Sequence, residues 1–166
     1  MRIAILSDTH DQIWKTRQAV AQMLQGGAEV VLHCGDLCSP FMIRHLAEAL
    51  GDRPLHLVWG NNEGDPRMIT QVASAYPNVH LHGALARLEL GGVRIAVNHY
   101  PEIAEPLALS GCFDLVCYGH DHTAYAGRRG DCVLLNPGEI LGMNGRSTFA
   151  WFDTVAREAR HEEVTT

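Results

Sequence analysis

No uninterrupted apolar run in this chain approaches the roughly 18 to 20 residues that a helix needs to span a bilayer, so a membrane-embedded protein is not expected. The opening MRIAILSD lacks the charged region, long apolar stretch and small-residue cleavage site of an export signal, which places the expected location in the cytoplasm. The formal charge is −6 and no Lys/Arg-dense stripe is present, so an extended nucleic-acid surface built on phosphate neutralisation is not expected; a local basic pocket stays open. The five cysteines are odd in number and mostly set in apolar segments, which suits small buried side chains in a reducing compartment rather than a disulfide framework. Cys34 and Cys38, beside His33, have half the spacing of a zinc knuckle, but no second pair follows. Repeats, low-complexity tracts and linker-like stretches are also missing, and 166 residues then predict one domain, residues 1–166, with a real core.

What is present is alternation. Arg2 to Leu6 reads as a strand, and Trp14, Ala19, Val20, Met23 and Leu24 recur at helical spacing until Gly26-Gly27. Glu29 to Leu32 is a second strand, followed by a helix over Phe41 to Leu50 with Ser39-Pro40 as cap and first turn and Gly51 as stop. Leu55 to Trp59 is a third strand, with Asp65-Pro66 opening a helix to Tyr76. Three βα units in succession imply a parallel sheet with right-handed crossovers. From Ala86 the pattern changes. LARLEL-GG-VRIAVN is a hairpin, Pro101 to Leu109 a helix and Leu115 to Tyr118 a strand. A second hairpin turns near Gly130, and Ser147 to Asp153 pairs with Glu158 to Val164. The expected fold is an α/β mixed β-sandwich flanked by helices, parallel in its first half and antiparallel in its second.

The residues after each strand carry the chemistry. They are SDTH (Asp8, His10), GDLC (Asp36), GNNE (Asn61), NHYP (His99) and GHDH (His120, His122). All are metal-ligand types, and all fall at carboxyl ends of strands, where α/β sheets place ligands. Residues two apart in extended chain project to one side, so Asp8 with His10, and His120 with His122, each present two donors together. Seven such donors exceed one tetrahedral ion and suit two ions sharing a carboxylate. Gly35, Gly60 and Gly119 precede donors where the backbone must turn or approach closely. Taken singly, an Asp or Asn before a helix reads as a cap and a lone His as surface or satisfied core. Five strand ends in succession with carboxylate, amide and imidazole do not read as independent caps.

In this order the five segments resemble the calcineurin-like metallophosphoesterase superfamily, whose pattern is D-x-H, G-D-x-x, G-N-x-[DE], a lone His and G-H-x-H. The short length and the NPG at Asn136, Pro137 and Gly138 are similar to its small single-domain prokaryotic phosphodiesterase branch, which a eukaryotic retromer subunit also resembles. The resemblance implies one divalent ion held by Asp8, His10, Asp36 and His122, and a second by Asp36, Asn61, His99 and His120, with Asp36 as bridge. It implies in-line attack on phosphorus by a hydroxide between the ions, with Asp36, Asn61 and His99 as catalytic residues. The mixed N/O donor set without thiolate suits manganese, iron, nickel or zinc, manganese being favoured.

The chain departs from the pattern in places. Where a histidine often follows the GN asparagine to protonate the leaving group, this chain has Asn62, and an amide is no general acid. That favours phosphodiesters over monoesters. Glu63 is expected to hold a ligand by a hydrogen bond. Tyr100 and Pro101 replace the usual residue after the lone His, and Tyr100 and Trp14 are expected at the mouth, with Trp59 in the core. Asp11 and Asp121 are expected on the surface, His80 and His82 on one face of an exposed strand, and Arg128-Arg129 in a solvated turn. A small phosphoester substrate is expected, no membrane partner, and self-association is left open. The alternative is a non-catalytic protein-binding scaffold like the retromer subunit, or a phosphomonoesterase or protein phosphatase.

Overall fold

The computed structural model describes residues 1–165. Its elements run β1 (Arg2–Leu6), α1 (Ile13–Gln25), β2 (Val30–His33), α2 (Pro40–Leu50), β3 (Leu55–Leu57), α3 (Pro66–Ala73), β4 (Val79–Leu81), β5 (Ala86–Leu90), β6 (Val93–Val97), α4 (Pro101–Leu109), β7 (Leu115–Cys117), β8 (Tyr125–Arg129), β9 (Cys132–Asn136), β10 (Thr148–Asp153) and β11 (Glu158–Glu163). One sheet has the order β11-β10-β1-β2-β3-β4, the other β5-β6-β7-β9-β8. β1 to β4 are parallel, and β10 and β11 extend that sheet antiparallel beyond β1. The second sheet is itself mixed. The hairpins β5–β6 and β8–β9 are antiparallel, but β6, β7 and β9 run parallel because α4 carries the chain from β6 over to β7.

Period-two alternation builds the layers. On β1, Ile3 and Ile5 point between the sheets, where Val30, Leu32, Ile95, Leu115 and Phe152 join them. Ala4 and Leu6 point the other way, onto Val20 and Met23 of α1 and Ile43 and Leu46 of α2. α4 covers the outer face of the second sheet through Ala104 and Ala108 against Ala96, Val116 and Leu134. Among the described residues no helix is long and apolar enough to cross a membrane.

The helix ends refine the sequence reading. Asp65 caps α3 by accepting from the Met68 N–H at 2.9 Å. α3 stops at Ala73, short of Tyr76, because the residue before Pro77 disfavours helical geometry and the chain leaves in single turns. Ser39 sits at the cap position of α2, yet its hydroxyl does not cap the helix. Its N–H and hydroxyl donate instead to Asp11 at 2.8 and 2.6 Å, so Asp11 is half-buried at the start of α2 rather than a free surface charge. β3 ends at Leu57 rather than Trp59, since Trp59 donates its N–H to Gly83 across the loops; its ring packs on the helix-side core.

β2 ends in a fully buried histidine. His33 accepts the Gly35 N–H on Nδ1 at 3.1 Å and meets the Thr9 hydroxyl through Nε2 at 3.1 Å, tying the loops after β1 and β2 together. Burial pushes its pKa down from 6.5 to about 4. The unfolded chain then binds a proton that the native state refuses, so stability is complete above pH 6.5 and is lost as pH falls toward 4. The loss expected for this group alone is about 3 kcal/mol. Urea unfolding of metal-free protein between pH 7 and 4.5 will read it, and His33→Gln should flatten the slope; an unchanged slope would refute the assignment.

Candidate metal centre

The loops after β1, β2, β6, β7 and β9 meet at one edge of the sandwich and are sewn to one another through backbone. The Asp8 N–H donates to Gly35 O, His10 N–H to Asp36 O, Gly119 N–H to His99 O, and Ile140 and Leu141 N–H to Ser7 and Asp8 O, all at 3.0–3.1 Å. The crossing points leave no room for side chains. A Cβ on Gly60 would fall inside the contact radius of Asp36 Oδ1, and one on Gly119 inside that of Ser7 Oγ and Asp8 Oδ2. Gly35 combines φ +99° with a Cβ position 2.8 Å from His99 Nδ1.

The loops also hold unusual backbone. Among the described residues eight non-glycine positions have positive φ, and all but Arg157 lie here: Asp8, His10, Asp11, Asp36, Cys38, His120 and His122. Asp, Asn and His tolerate this left-handed region better than most residues, at a cost of about 1–2 kcal/mol each. Such strain collects where surrounding structure over-determines side-chain direction.

Those directions converge. Asp36, almost fully buried, lies between two histidines: His10 Nε2 is 3.4 Å from its Oδ2 and His99 Nε2 is 3.4 Å from its Oδ1. Asp8 Oδ1 faces His122 Nε2 at 3.3 Å and His10 Nε2 at 3.7 Å. Asn61 Oδ1 lies 3.1 Å from His99 Nε2 and 2.9 Å from His120 Nδ1. All seven residues singled out by the strand-end pattern therefore stand at one cleft. Donor atoms of Asp8, His10 and His122, and again of Asp8, Asp36 and His99, lie within 4.8 Å of one another. Asp8 Oδ1 and His10 Nε2 are buried without any hydrogen-bond partner, a costly state for polar atoms unless a cation is their partner. The donor set thus fits hard or borderline divalent ions.

Electrostatics points the same way. Burial opposes ionisation of Asp36, but hydrogen bonds from His99 and Asn62 outweigh it and hold the carboxyl well below the usual carboxylate range. Its Oδ1 accepts the N–H groups of Asn61 and Asn62 at 2.8 and 2.9 Å, and its Oδ2 accepts the Asn62 amide at 2.7 Å. Asn62 is therefore tied to Asp36 through both its backbone N–H and its side-chain amide. Glu63 Oε1 accepts the Asp36 N–H at 3.0 Å, the supporting bond expected of it.

A second layer orients the imidazoles. His99 Nδ1 donates to Cys34 O at 2.8 Å, leaving Nε2 for the cleft. His10 Nδ1 contacts Cys38 Sγ at 3.4 Å. Burial, with Asp11, Asp36 and Glu63 adding repulsion, pushes the Cys38 thiol up to about 12, so it stays protonated. His122 Nδ1 meets Glu139 Oε2 at 2.7 Å, while Glu139 Oε1 accepts the Asn144 N–H at 2.7 Å. Glu139 is 1 % exposed, and sequence reasoning missed it. The signal available was a carboxylate inside the otherwise apolar run CVLLNPGEIL.

Around the mouth, Tyr100 packs on the rings of His99 and His120 at 5.1 and 5.2 Å. Trp14 is 73 % exposed, with the Arg17 guanidinium 5.9 Å from its ring. Asp121 is exposed and accepts from Asn136 Nδ2 at 2.7 Å and from the Thr123 N–H at 2.9 Å. Cys34 is buried between the sheets, away from any pairing with Cys38.

Comparison with known proteins agrees with this geometry. A phosphodiesterase of Methanocaldococcus jannaschii is 28 % identical over 163 residues, covering 96 % of this chain and 97 % of its own. The solved structure of an archaeal phosphodiesterase superposes with a TM-score of 0.90 at 28 % identity, over 98 % of this chain and 99 % of that one. The Escherichia coli phosphoesterase Yfce shares the fold, with a TM-score of 0.73 at 17 % identity over 99 % and 100 % of the two chains. The family description that fits residues 1–157 is the calcineurin-like phosphoesterase superfamily domain. Strand-end motifs, sandwich and family match lead to one conclusion: the chain belongs to the calcineurin-like phosphoesterase superfamily and is a hydrolase of phosphoester bonds.

Proposed function

We propose that residues 1–166 form one metallophosphoesterase domain that hydrolyses a small phosphodiester with two divalent ions. One set of donors is Asp8, His10, Asp36 and His122, the other Asp36, Asn61, His99 and His120. The observation that carries the reading is the placement of Asp36, whose two oxygens face His10 and His99 at equal 3.4 Å distances. Divalent ions bound there supply positive charge to phosphoryl oxygens and acidify water. The chain's own residues do the rest. The backbone N–H groups of Asn61 and Asn62 keep Asp36 ionised and aimed, Cys34 O and Glu139 fix the tautomers of His99 and His122, and Tyr100 walls the cleft beside His120.

A groove of about 260 Å³ opens beside His122, lined by Thr123, Ala124, Asn144, Arg146 and Thr148. The Thr123 and Thr148 hydroxyls there already donate to Asp121 O and Pro137 O, and the Arg146 guanidinium pairs with Glu163 on the surface, from which an anionic phosphoester would have to draw it. Asn62 stands where a general acid would and an amide cannot serve as one, so a substrate whose leaving group departs without strong protonation suits the cleft best. That favours diesters with good leaving groups. An assay panel of aryl diesters and alkyl and aryl monoesters with manganese tests this: diester turnover should exceed monoester turnover, and the reverse order would overturn the preference. Metal-free protein should be inactive in both.

The role of Glu139 yields a separate prediction. Glu139→Gln keeps the shape but removes the charge that polarises His122, and outer partners of ligating histidines are worth about 10–100-fold in metal affinity. Manganese titration of the metal-free variant should show that weakening, with an unchanged fold by circular dichroism. Wild-type affinity would remove Glu139 from the site.

A further inference from the structure

Away from the cleft, three histidines form a cluster that the reaction does not use. His56 is the middle residue of β3 and pairs in register with His80 of β4, the parallel neighbour. Leu55 and Leu57 point into the helix-side core, so His56 points to the opposite face of the sheet. His82, two residues after His80, falls on that face as well. The rings are close: His56 lies 4.8 Å from His80 and 5.1 Å from His82, both in stacked orientation. His56 Nδ1 and His82 Nε2 face each other at 2.9 Å.

That separation has a chemical meaning. Two imidazole nitrogens bound to one zinc-type ion at about 2.0–2.1 Å stand about 2.9 Å apart at a right angle and about 3.4 Å apart at the tetrahedral angle. The two nitrogens therefore already stand at the separation a shared ion requires, while a single shared proton keeps them aimed at each other and the rings must tilt to aim both at an ion. The rings are also in the ligating form. Burial, and then the neighbouring imidazoles, push His56 down to about 4, and burial with His80 lowers His82, so both are neutral at physiological pH. His80 is exposed and stacked on His56, and its nitrogens do not yet converge with those of the other two rings, so it must turn about its side-chain bonds to complete the site.

We propose that His56, His80 and His82 form a binding site for a divalent transition ion of the zinc type, distinct from the strand-end centre, that clamps edge strand β4 onto β3. On binding, the ring that donates the shared hydrogen bond moves its proton to its remote nitrogen, and both facing lone pairs turn to the ion. No proton need leave the protein. β4 is three residues long with one edge unpaired, so its pairing to β3 is where a clamp has most effect. The site shares no residue with the proposed catalytic centre and stands whether or not that reading holds.

Zinc itself is the probe. Metal-stripped wild type, His80→Ala and His82→Ala are loaded with excess zinc, desalted, and assayed for zinc per chain. Wild type should retain one equivalent more than either variant. Hydrogen exchange adds a structural readout: zinc should slow the backbone amides of Val79 to Leu81 at least tenfold in wild type and leave them unchanged in His80→Ala. His80 is exposed, so that variant keeps the test valid if His82→Ala fails to fold. Equal zinc counts in wild type and His80→Ala, or an extra equivalent lost on desalting and without effect on exchange (an adventitious ion only), overturns the proposal.

Discussion

Asp36→Asn is expected to lower metal-dependent kcat/KM by about 10³-fold or more, the scale on which preorganised charge at a reacting phosphoryl group acts. The reason is specific to this carboxylate. Both oxygens are already committed, Oδ1 to the N–H groups of Asn61 and Asn62 and Oδ2 to the Asn62 amide, while both also face imidazoles. An amide at this position loses the charge and turns an NH₂ toward donors on one side or the other. Binding of both proposed ions suffers together, because Asp36 belongs to both proposed donor sets and faces His10 with one oxygen and His99 with the other. Manganese content and steady-state kinetics on the same preparation check the expectation. Activity within tenfold of wild type, in protein that keeps its thermal midpoint, would show that Asp36 is structural.

The second large effect comes from a residue with no side chain. Gly60→Ala would place a methyl within the contact radius of Asp36 Oδ1 and 2.6 Å from the Asp36 nitrogen. The carboxylate is short and pinned by three hydrogen bonds, so it has no free rotamer into which to retreat, and the loop that carries Asn61 must move instead. A displacement of about 1 Å in positioning groups can cost 10²-fold in rate, and a fall of about that size in kcat/KM is expected, with weaker manganese binding. Gly64→Ala is the control, since its Cβ meets only Cys38 O at an ordinary 3.6 Å. If Gly60→Ala and Gly64→Ala behave alike, the close-packed account of the cleft is wrong.

How far the sequence discloses this molecule depends on the range over which each feature is decided. β1, β2 and their helices are legible because alternating Ile3, Ala4, Ile5 and Leu6, and the repeat of Ala19, Val20 and Met23, encode burial within a few residues. The candidate centre is legible as residue types, since each strand end carries its own donors. Its supports are not. Asp11 at the start of α2, Asn62 on Asp36 and Glu139 behind His122 each act across 17 to 28 residues of chain, and only the packed sandwich decides that they meet. The parallel run of β6, β7 and β9 was hidden for the same reason: hairpin signals mark neighbours in sequence and say nothing of how two hairpins dock. His80 and His82 read as an exposed face because nothing local announces His56 beside them.

The left-handed residues at the strand ends set thermal endurance and function against each other at the same seven positions. Glycine there would ease the chain and let the protein survive hotter conditions, yet at Asp8, His10, Asp36, His120 and His122 it would erase a donor. Asp11 and Cys38 are exempt from that conflict as far as donors go. Of the two, Asp11 holds Ser39 by two hydrogen bonds while Cys38 meets His10 through its thiol alone, so an engineer hardening this scaffold would begin at Cys38, at the cost of that one contact behind His10.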